Sequence, residues 1–216
     1  MSALFGGDNY RTYNAARLHT FLSLKWICDG WDVLDVGCGD GYFGDLVFTR
    51  LGARLTCADG RAEHIATLKQ ERPHLAARAQ VCDLDKDFPT GTYDLVFACG
   101  ILYHLENVVE FLTHCAQAAP LLFMESVVWN EAERDGLRYW EEADSYDQAL
   151  NRIGARVTPM WIDRTLKEVG YAQVFEPPIP DHKDFRLWEN PTTARVLRIA
   201  AKEGALPETA VGLREL

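Results

Sequence analysis

Short apolar runs alternate along the chain with amphipathic stretches, and most runs end at glycine or aspartate. Val33–Val36, ahead of a glycine cluster, reads as a buried strand. Phe43, Leu46, Val47 and Arg50 then recur at helical spacing up to Gly52. Arg54–Ala58 reads as a second strand closed by Asp59-Gly60, and residues 62–72 as a helix before Pro73. Ala79–Cys82 and Tyr93–Cys99 are the third and fourth strands, ending at Asp83 and Gly100. Leu105, Val108, Val109, Leu112, Cys115 and Ala116 match one helical face across 104–118, with Pro120 beyond. Leu121–Ser126 is a fifth strand. Thr158 as N-cap and Pro159 at the first position start a helix that runs to Gly170. Ala172–Phe175 is a sixth strand, and Val196–Ala201 reads as an antiparallel seventh, with a helix as the alternative. At the front, Ala15, Leu18, Phe21, Leu22 and Trp26 predict a helix over 14–28, ended by Gly30.

This alternation predicts an α/β fold: a doubly wound, Rossmann-like seven-stranded sheet, mostly parallel with an antiparallel last strand. One domain would span 1–216, with residues 1–30 as a helical cap and 127–157 as an insertion forming a substrate lid. Ligands of such sheets sit beyond the C-terminal strand ends. Gly37–Gly41, Asp59–Arg61, Asp83-Leu84 and Gly100–His104 should therefore surround one ligand.

The stretch VLDVGCGDGYFGDL holds two overlapping patterns. Gly39, Gly41 and Gly44 spell the dinucleotide fingerprint G-x-G-x-x-G. Asp35, Gly37, Gly39 and Gly41 spell D-x-G-x-G-x-G. Asp35 would repel a pyrophosphate but can support an ammonium, and the dinucleotide register leaves Gly37 and Cys38 unexplained. Gly44 then becomes a helix residue close to the sheet. A carboxylate at Asp59 can accept both hydroxyls of a ribose, or merely form an Asp-Gly turn. Asp83 can accept an exocyclic amine with Leu84 packed on the ring, or cap a strand end. Tyr103 and His104 would open a helix facing the same cavity. His104 would act there as a proton acceptor or as a simple lining residue.

The segments VLDVGCGDG, CADGR, VCDLD and YDLVFACGILYHL, in this order and spacing across about residues 33–126, resemble those of class I S-adenosylmethionine-dependent methyltransferases. The resemblance implies that Gly37, Gly39 and Gly41 approach the methionine part of S-adenosylmethionine. It places Asp59 on the ribose, Asp83 and Leu84 at the adenine and Gly100 near the sulfur. Asp35, Cys38, Gly60, Arg61 and Ile101 complete the expected cofactor set. GILYHL is similar to segments of small-molecule methyltransferases and of enzymes that alkylate transfer-RNA uridines. Beyond Ser126 the resemblance is slight.

The acceptor site is expected from parts outside this core: Tyr10, Arg11, Tyr13 and Arg17 in front, Tyr103, and the insertion with Trp129, Tyr139, Trp140 and Tyr146. Seven acidic and two basic residues lie between Asn130 and Leu150. An acidic, aromatic lid suits a cationic, polyol or aromatic acceptor; the bland alternative is a solvated helix pair. His182 and Trp188 are further candidates. The net charge of −10 argues against wholesale binding of a phosphate backbone. The six cysteines show no metal spacing, and no metal is expected. No apolar run approaches the ~20 residues of a membrane span, and no secretory signal stands at the N-terminus, so a cytoplasmic location is the expectation.

Methyl transfer to oxygen or nitrogen of a small molecule is thus the leading expectation. A nucleic-acid base or a protein as acceptor, a non-catalytic partner subunit, and a nicotinamide dehydrogenase are the alternatives.

Overall fold

The computed structural model describes residues 5–26, 28–129, 134–186 and 194–216. Five helices alternate with the strands: α1 (Asp8–Ser23), α2 (Tyr42–Phe48), α3 (Ala62–Glu71), α4 (Val108–Ala118) and α5 (Pro159–Glu168). The strands are β1 (Asp32–Val36), β2 (Arg54–Asp59), β3 (Ala79–Val81), β4 (Leu95–Cys99) and β5 (Leu121–Val127). They continue with β6 (Leu137–Glu141), β7 (Ile153–Val157), β8 (Gln173–Glu176), β9 (Arg195–Ala201) and β10 (Arg214–Glu215).

Eight of these strands form one sheet in the order β10-β8-β9-β5-β4-β1-β2-β3. The pairs linking β3, β2, β1, β4 and β5 are parallel. β9 is the expected antiparallel strand, but it inserts between β5 and β8 instead of closing the edge. The two-residue β10 adds an antiparallel edge beside β8. Two apolar clusters cover the sheet faces. One contains Val36, Leu102, Leu112 and Ile162; the other contains Phe21, Phe48, Phe97 and Phe123.

Three elements differ from the sequence expectation. α1 begins at Asp8 and its chain turns out at Lys25, which has a positive φ of 55°. Its buried side holds Tyr13, Asn14, Arg17 and Thr20 beside Phe21 and Leu24, whereas Leu22 of the apolar stripe is 49% exposed. The periodicity misleads because this face packs a polar site. Residues 102–104 form a separate 3-10 turn, and α4 starts only at Val108. Asp85 accepts from the amides of Glu106 (2.8 Å) and Asn107 (2.9 Å), which breaks the chain there. The insertion contains no helix pair among its described residues: β6 and β7 form their own two-stranded antiparallel sheet. The start of α5 is as expected, with Thr158 accepting from the Trp161 amide at 3.3 Å.

Candidate functional site

Tight turns after β1 shape the floor of the site. Gly37 and Gly39 have φ of 69° and 56°, the left-handed region that glycine enters without steric cost. A Cβ at Gly37 would meet Ile101 at 2.6 Å, and one at Gly39 would meet the Phe5 ring at 2.5 Å. Phe5 therefore covers the loop, held by its carbonyl accepting from Asn14 Nδ2 at 2.8 Å.

A cavity of about 430 Å³ opens over the strand ends. It is lined by Asp35, Gly37, Cys38 and Gly39 from β1 and its turn, and by Asp59, Gly60 and Arg61 after β2. Asp83 and Leu84 line it after β3, and Gly100, Ile101, Tyr103 and His104 after β4. Tyr13 and Arg17 enter from α1, and Tyr146 from the insertion. Most candidate residues thus converge on one space.

Four do not. Gly41 stands outside the lining; it caps α2, where a Cβ would run into Leu68 at 2.7 Å. Trp129 also stands outside, with the Arg138 guanidinium 3.9 Å over its ring. Tyr139 and Trp140, adjacent on β6, are 57% and 55% exposed and do not line the cavity. The insertion reaches the cavity through Tyr146, Asp147, Gln148, Leu150 and Arg156 instead. Arg61 ties it down by donating to the carbonyls of Ser145 (3.0 Å) and Gln148 (3.1 Å). His182 packs edge-on against the Tyr13 ring at 5.8 Å. Trp188 lies outside the described residues.

Asp59 already serves the protein. Its Oδ2 accepts from the Gly39 amide (2.9 Å), and Oδ1 contacts the Arg61 amide (2.9 Å) and His64 Nδ1 (3.0 Å). Oδ1 is saturated and Oδ2 retains one accepting direction. Asp35 is buried beneath the loop. Burial first, then the charge of Asp59, pushes its carboxyl up to about 8, against an opposing pull from Arg17. A Cβ at Gly44 would lie 2.1 Å from Asp35 Oδ2, so Gly44 makes room for this carboxyl.

Two polar clusters beside the Gly100–His104 segment escaped the sequence reading. His104 Nδ1 lies 2.6 Å from Glu142 Oε2. Glu142 also accepts from the Ala149 amide (2.7 Å) and Arg156 (3.0 Å). Burial pushes its carboxyl up, but His104, the Ala149 amide and Arg156 outweigh this and hold it below the usual range. In the second cluster, the fully buried Glu125 accepts from Tyr13 Oη (2.5 Å), Arg17 Nη1 (3.2 Å) and Arg195 Nη1 (2.8 Å). Arg195 and Arg17 together outweigh the burial of Glu125 and keep its carboxyl below the ordinary value. A carboxylate in the apolar run LLFMESV was the available sequence signal for Glu125. Glu142 and Arg195 carried none, because the pairings that matter are far away in the chain.

Residues 34–119, which carry the glycine turn and the ends of β1 to β4, match a family model described as a methyltransferase domain. This match, with the relatives and solved structures below, supports a class I S-adenosylmethionine-dependent methyltransferase. It favours the D-x-G-x-G-x-G register over the dinucleotide one. Ubiquinone biosynthesis O-methyltransferases of Rhodopseudomonas palustris are similar to it. That of strain BisB5 is 35% identical over 138 residues, 62% of this chain and 49% of the relative. That of strain TIE-1 is 34% identical over 139 residues, 63% and 50% of the two chains. The match thus spans about half the length of these relatives. Among solved structures, the N-terminal domain of EvdMO1 with SAH and D-fucose has a TM-score of 0.71 at 14% identity, covering 92% of this chain and 85% of that one. An S-adenosylmethionine-dependent methyltransferase from Mesorhizobium loti has a TM-score of 0.65 at 20% identity, covering 88% and 100%. At these identities the structural likenesses speak for the methyltransferase fold.

No helix of the described residues is long and apolar enough to cross a membrane. No group of three metal-ligating side chains is found among them either.

Proposed function

We propose that this methyltransferase moves a methyl group from S-adenosylmethionine to an oxygen or nitrogen of a small-molecule acceptor. The observation that carries the reading is the His104–Glu142 contact, set at the cavity end beyond Gly100. The cavity suits the cofactor. Gly37 and Gly39 border the cavity through backbone that carries no side chain, and Asp59 keeps one accepting direction for a ribose hydroxyl. Asp83 and Leu84 offer a carboxylate and an apolar side chain for an adenine, and Asp35 an acid for an ammonium. When bound, S-adenosylmethionine supplies a methyl group on a sulfonium whose departure leaves a neutral thioether.

The chain's own residues then have to orient the acceptor, exclude water and hold its proton. In the neutral imidazole, an Nδ1–H donated to Glu142 leaves Nε2 as the proton-accepting atom. No hydrogen bond occupies that nitrogen among the described residues. Glu142 is in turn fixed by Arg156, whose Nη1 also donates to the Tyr103 carbonyl at 2.9 Å. The insertion thereby sets the orientation of His104, and its Tyr146 packs against Phe5 at the border of the cavity.

Small-molecule acceptors are favoured by the names of the similar ubiquinone O-methyltransferases. A neighbouring fold named as the [4+2]-cyclase SpnF, with a TM-score of 0.61 at 17% identity, is a reminder that fold alone does not assign chemistry. The test is a small-metabolite extract incubated with methyl-labelled S-adenosylmethionine and the protein. A labelled small-molecule product is expected, and label found only in RNA or protein would redirect the reading.

A further inference from the structure

We infer that Arg61, on the turn after β2, is a positioning residue for His104, acting through the 145–149 turn of the insertion and through Glu142. The inference rests on the methyl-transfer reading, in which His104 takes the acceptor's proton, and adds a residue to that site.

Arg61 follows β2 and His104 follows β4, with β1 between those strands in the sheet. The insertion bridges the two. The Arg61 side chain is 16% exposed, and its Nη2 donates to the carbonyls of Ser145 (3.0 Å) and Gln148 (3.1 Å). That nitrogen carries two hydrogens, so both are spent on the insertion. The Ser145 carbonyl also accepts from the Gln148 amide at 3.2 Å, which closes the turn on itself. The turn after β2 touches the insertion a second time: a Cβ on Gly60 would lie 3.1 Å from Leu150 Cδ2. Arg61 is fixed in its own right, because its amide donates to Asp59 Oδ1 at 2.9 Å.

The far end of the 145–149 turn reaches the base. The amide of Ala149 donates to Glu142 Oε2 at 2.7 Å. His104 Nδ1 contacts that same oxygen at 2.6 Å. Arg156 holds the other oxygen, Oε1, at 3.0 Å. A carboxylate swinging about Oε1 would carry Oε2 away from His104, and the Ala149 amide opposes the swing. Ala149 is 1% exposed and Glu142 5%, so the bond is shielded from water. A buried network whose members are satisfied holds its groups rigidly.

The sequence motif places Arg61 beside the cofactor, but the side chain is committed elsewhere. Nη2 is taken by the insertion, and Nη1 lies 3.8 Å from Glu63. The backbone of Arg61 thus belongs to the Asp59 turn, and its guanidinium serves the opposite end of the cavity.

Coupling along such a chain of contacts is read at His104 itself. Long-range proton–nitrogen NMR spectra of the histidine side chains are recorded at pH 8 for the wild type, Arg61→Met and Arg61→Lys, with His104→Gln assigning the signals. The wild type is expected to show one His104 tautomer, with its hydrogen on Nδ1. Arg61→Met should mix in the Nε2–H tautomer, and Arg61→Lys, which keeps a donor for one carbonyl, should fall between. The initial rate of label transfer from methyl-labelled S-adenosylmethionine to a small-metabolite extract should drop about tenfold in Arg61→Met. Calorimetry should show its S-adenosylhomocysteine affinity unchanged. In a Glu142→Gln background, Arg61→Met should cost no further rate, as for residues that act as one unit. His104 signals in Arg61→Met that match the wild type overturn the inference and leave methyl transfer standing. So does a loss of rate that follows a loss of S-adenosylhomocysteine affinity. If Arg61→Met unfolds, wild-type His104 signals in Arg61→Lys overturn it. Normal label transfer by His104→Gln defeats the base and the inference with it. No label transfer by the wild type defeats the inference and the methyl-transfer reading together.

Discussion

His104 and Glu142 lie 38 positions apart in the chain and 2.6 Å apart in space. One follows β4, the other follows β6 of the insertion, and their contact joins the two parts of the site. His104→Ala should lower kcat by ~10²–10⁴, the usual contribution of a positioned base. Glu142→Gln should lower kcat with little change in S-adenosylhomocysteine affinity and alter the pH profile of turnover. Normal turnover in His104→Ala would remove the base from the account.

Asp59→Ala should weaken S-adenosylhomocysteine binding by ~1.5–3 kcal/mol, as for a lost hydrogen bond to a charged group. The same change strips the Gly39 amide of its acceptor, so the glycine turn should loosen as well. Calorimetry gives the affinity, and amide hydrogen exchange at Gly39 gives the loosening. Unchanged affinity would take Asp59 out of the site.

Asp35 makes stability depend on pH. Its folded value of about 8 stands above the ordinary 3.8, so the native state holds a proton that the unfolded chain releases. Its contribution is present at low pH and is lost as pH rises through that window. Asp35→Asn should therefore flatten the decline in melting temperature between pH 5 and about 8. An ammonium docking beside Asp35 favours the ionised form. Ligand binding to the wild type should then release a proton near pH 7, detectable in buffers of different ionisation enthalpy. An identical pH dependence in Asp35→Asn would contradict this.

Gly44→Ala separates packing from propensity. Within a helix, alanine is worth up to ~1 kcal/mol over glycine. Here its Cβ would fall 2.1 Å from Asp35 Oδ2, so the variant should be less stable by ~1–3 kcal/mol. A denaturant melt that shows stabilisation would refute the close approach.

The strand-turn-helix core was legible because its signals are local: apolar runs ending in glycine or aspartate place residues at the strand ends. Those signals located Gly37, Asp59, Asp83 and Gly100 around one cavity. They failed in part on α1, whose inward face carries Tyr13 and Arg17 to the cavity as well as Phe21 to the core. They failed on Trp129, Tyr139 and Trp140, where aromatic content was mistaken for inward direction. Tyr139 and Trp140 are exposed on the small β6–β7 sheet, while Trp129 packs under Arg138. Glu142 and Arg195 were invisible because their partners come from remote parts of the chain, brought together only by the sheet order.

The central claim is tested most directly by calorimetric titration of the purified protein with S-adenosylhomocysteine, with NAD as the control. Saturable one-to-one binding of S-adenosylhomocysteine, lost or weakened in Asp59→Ala and absent for NAD, is the expected result. No saturable binding of S-adenosylhomocysteine, or preferential binding of NAD, would contradict it.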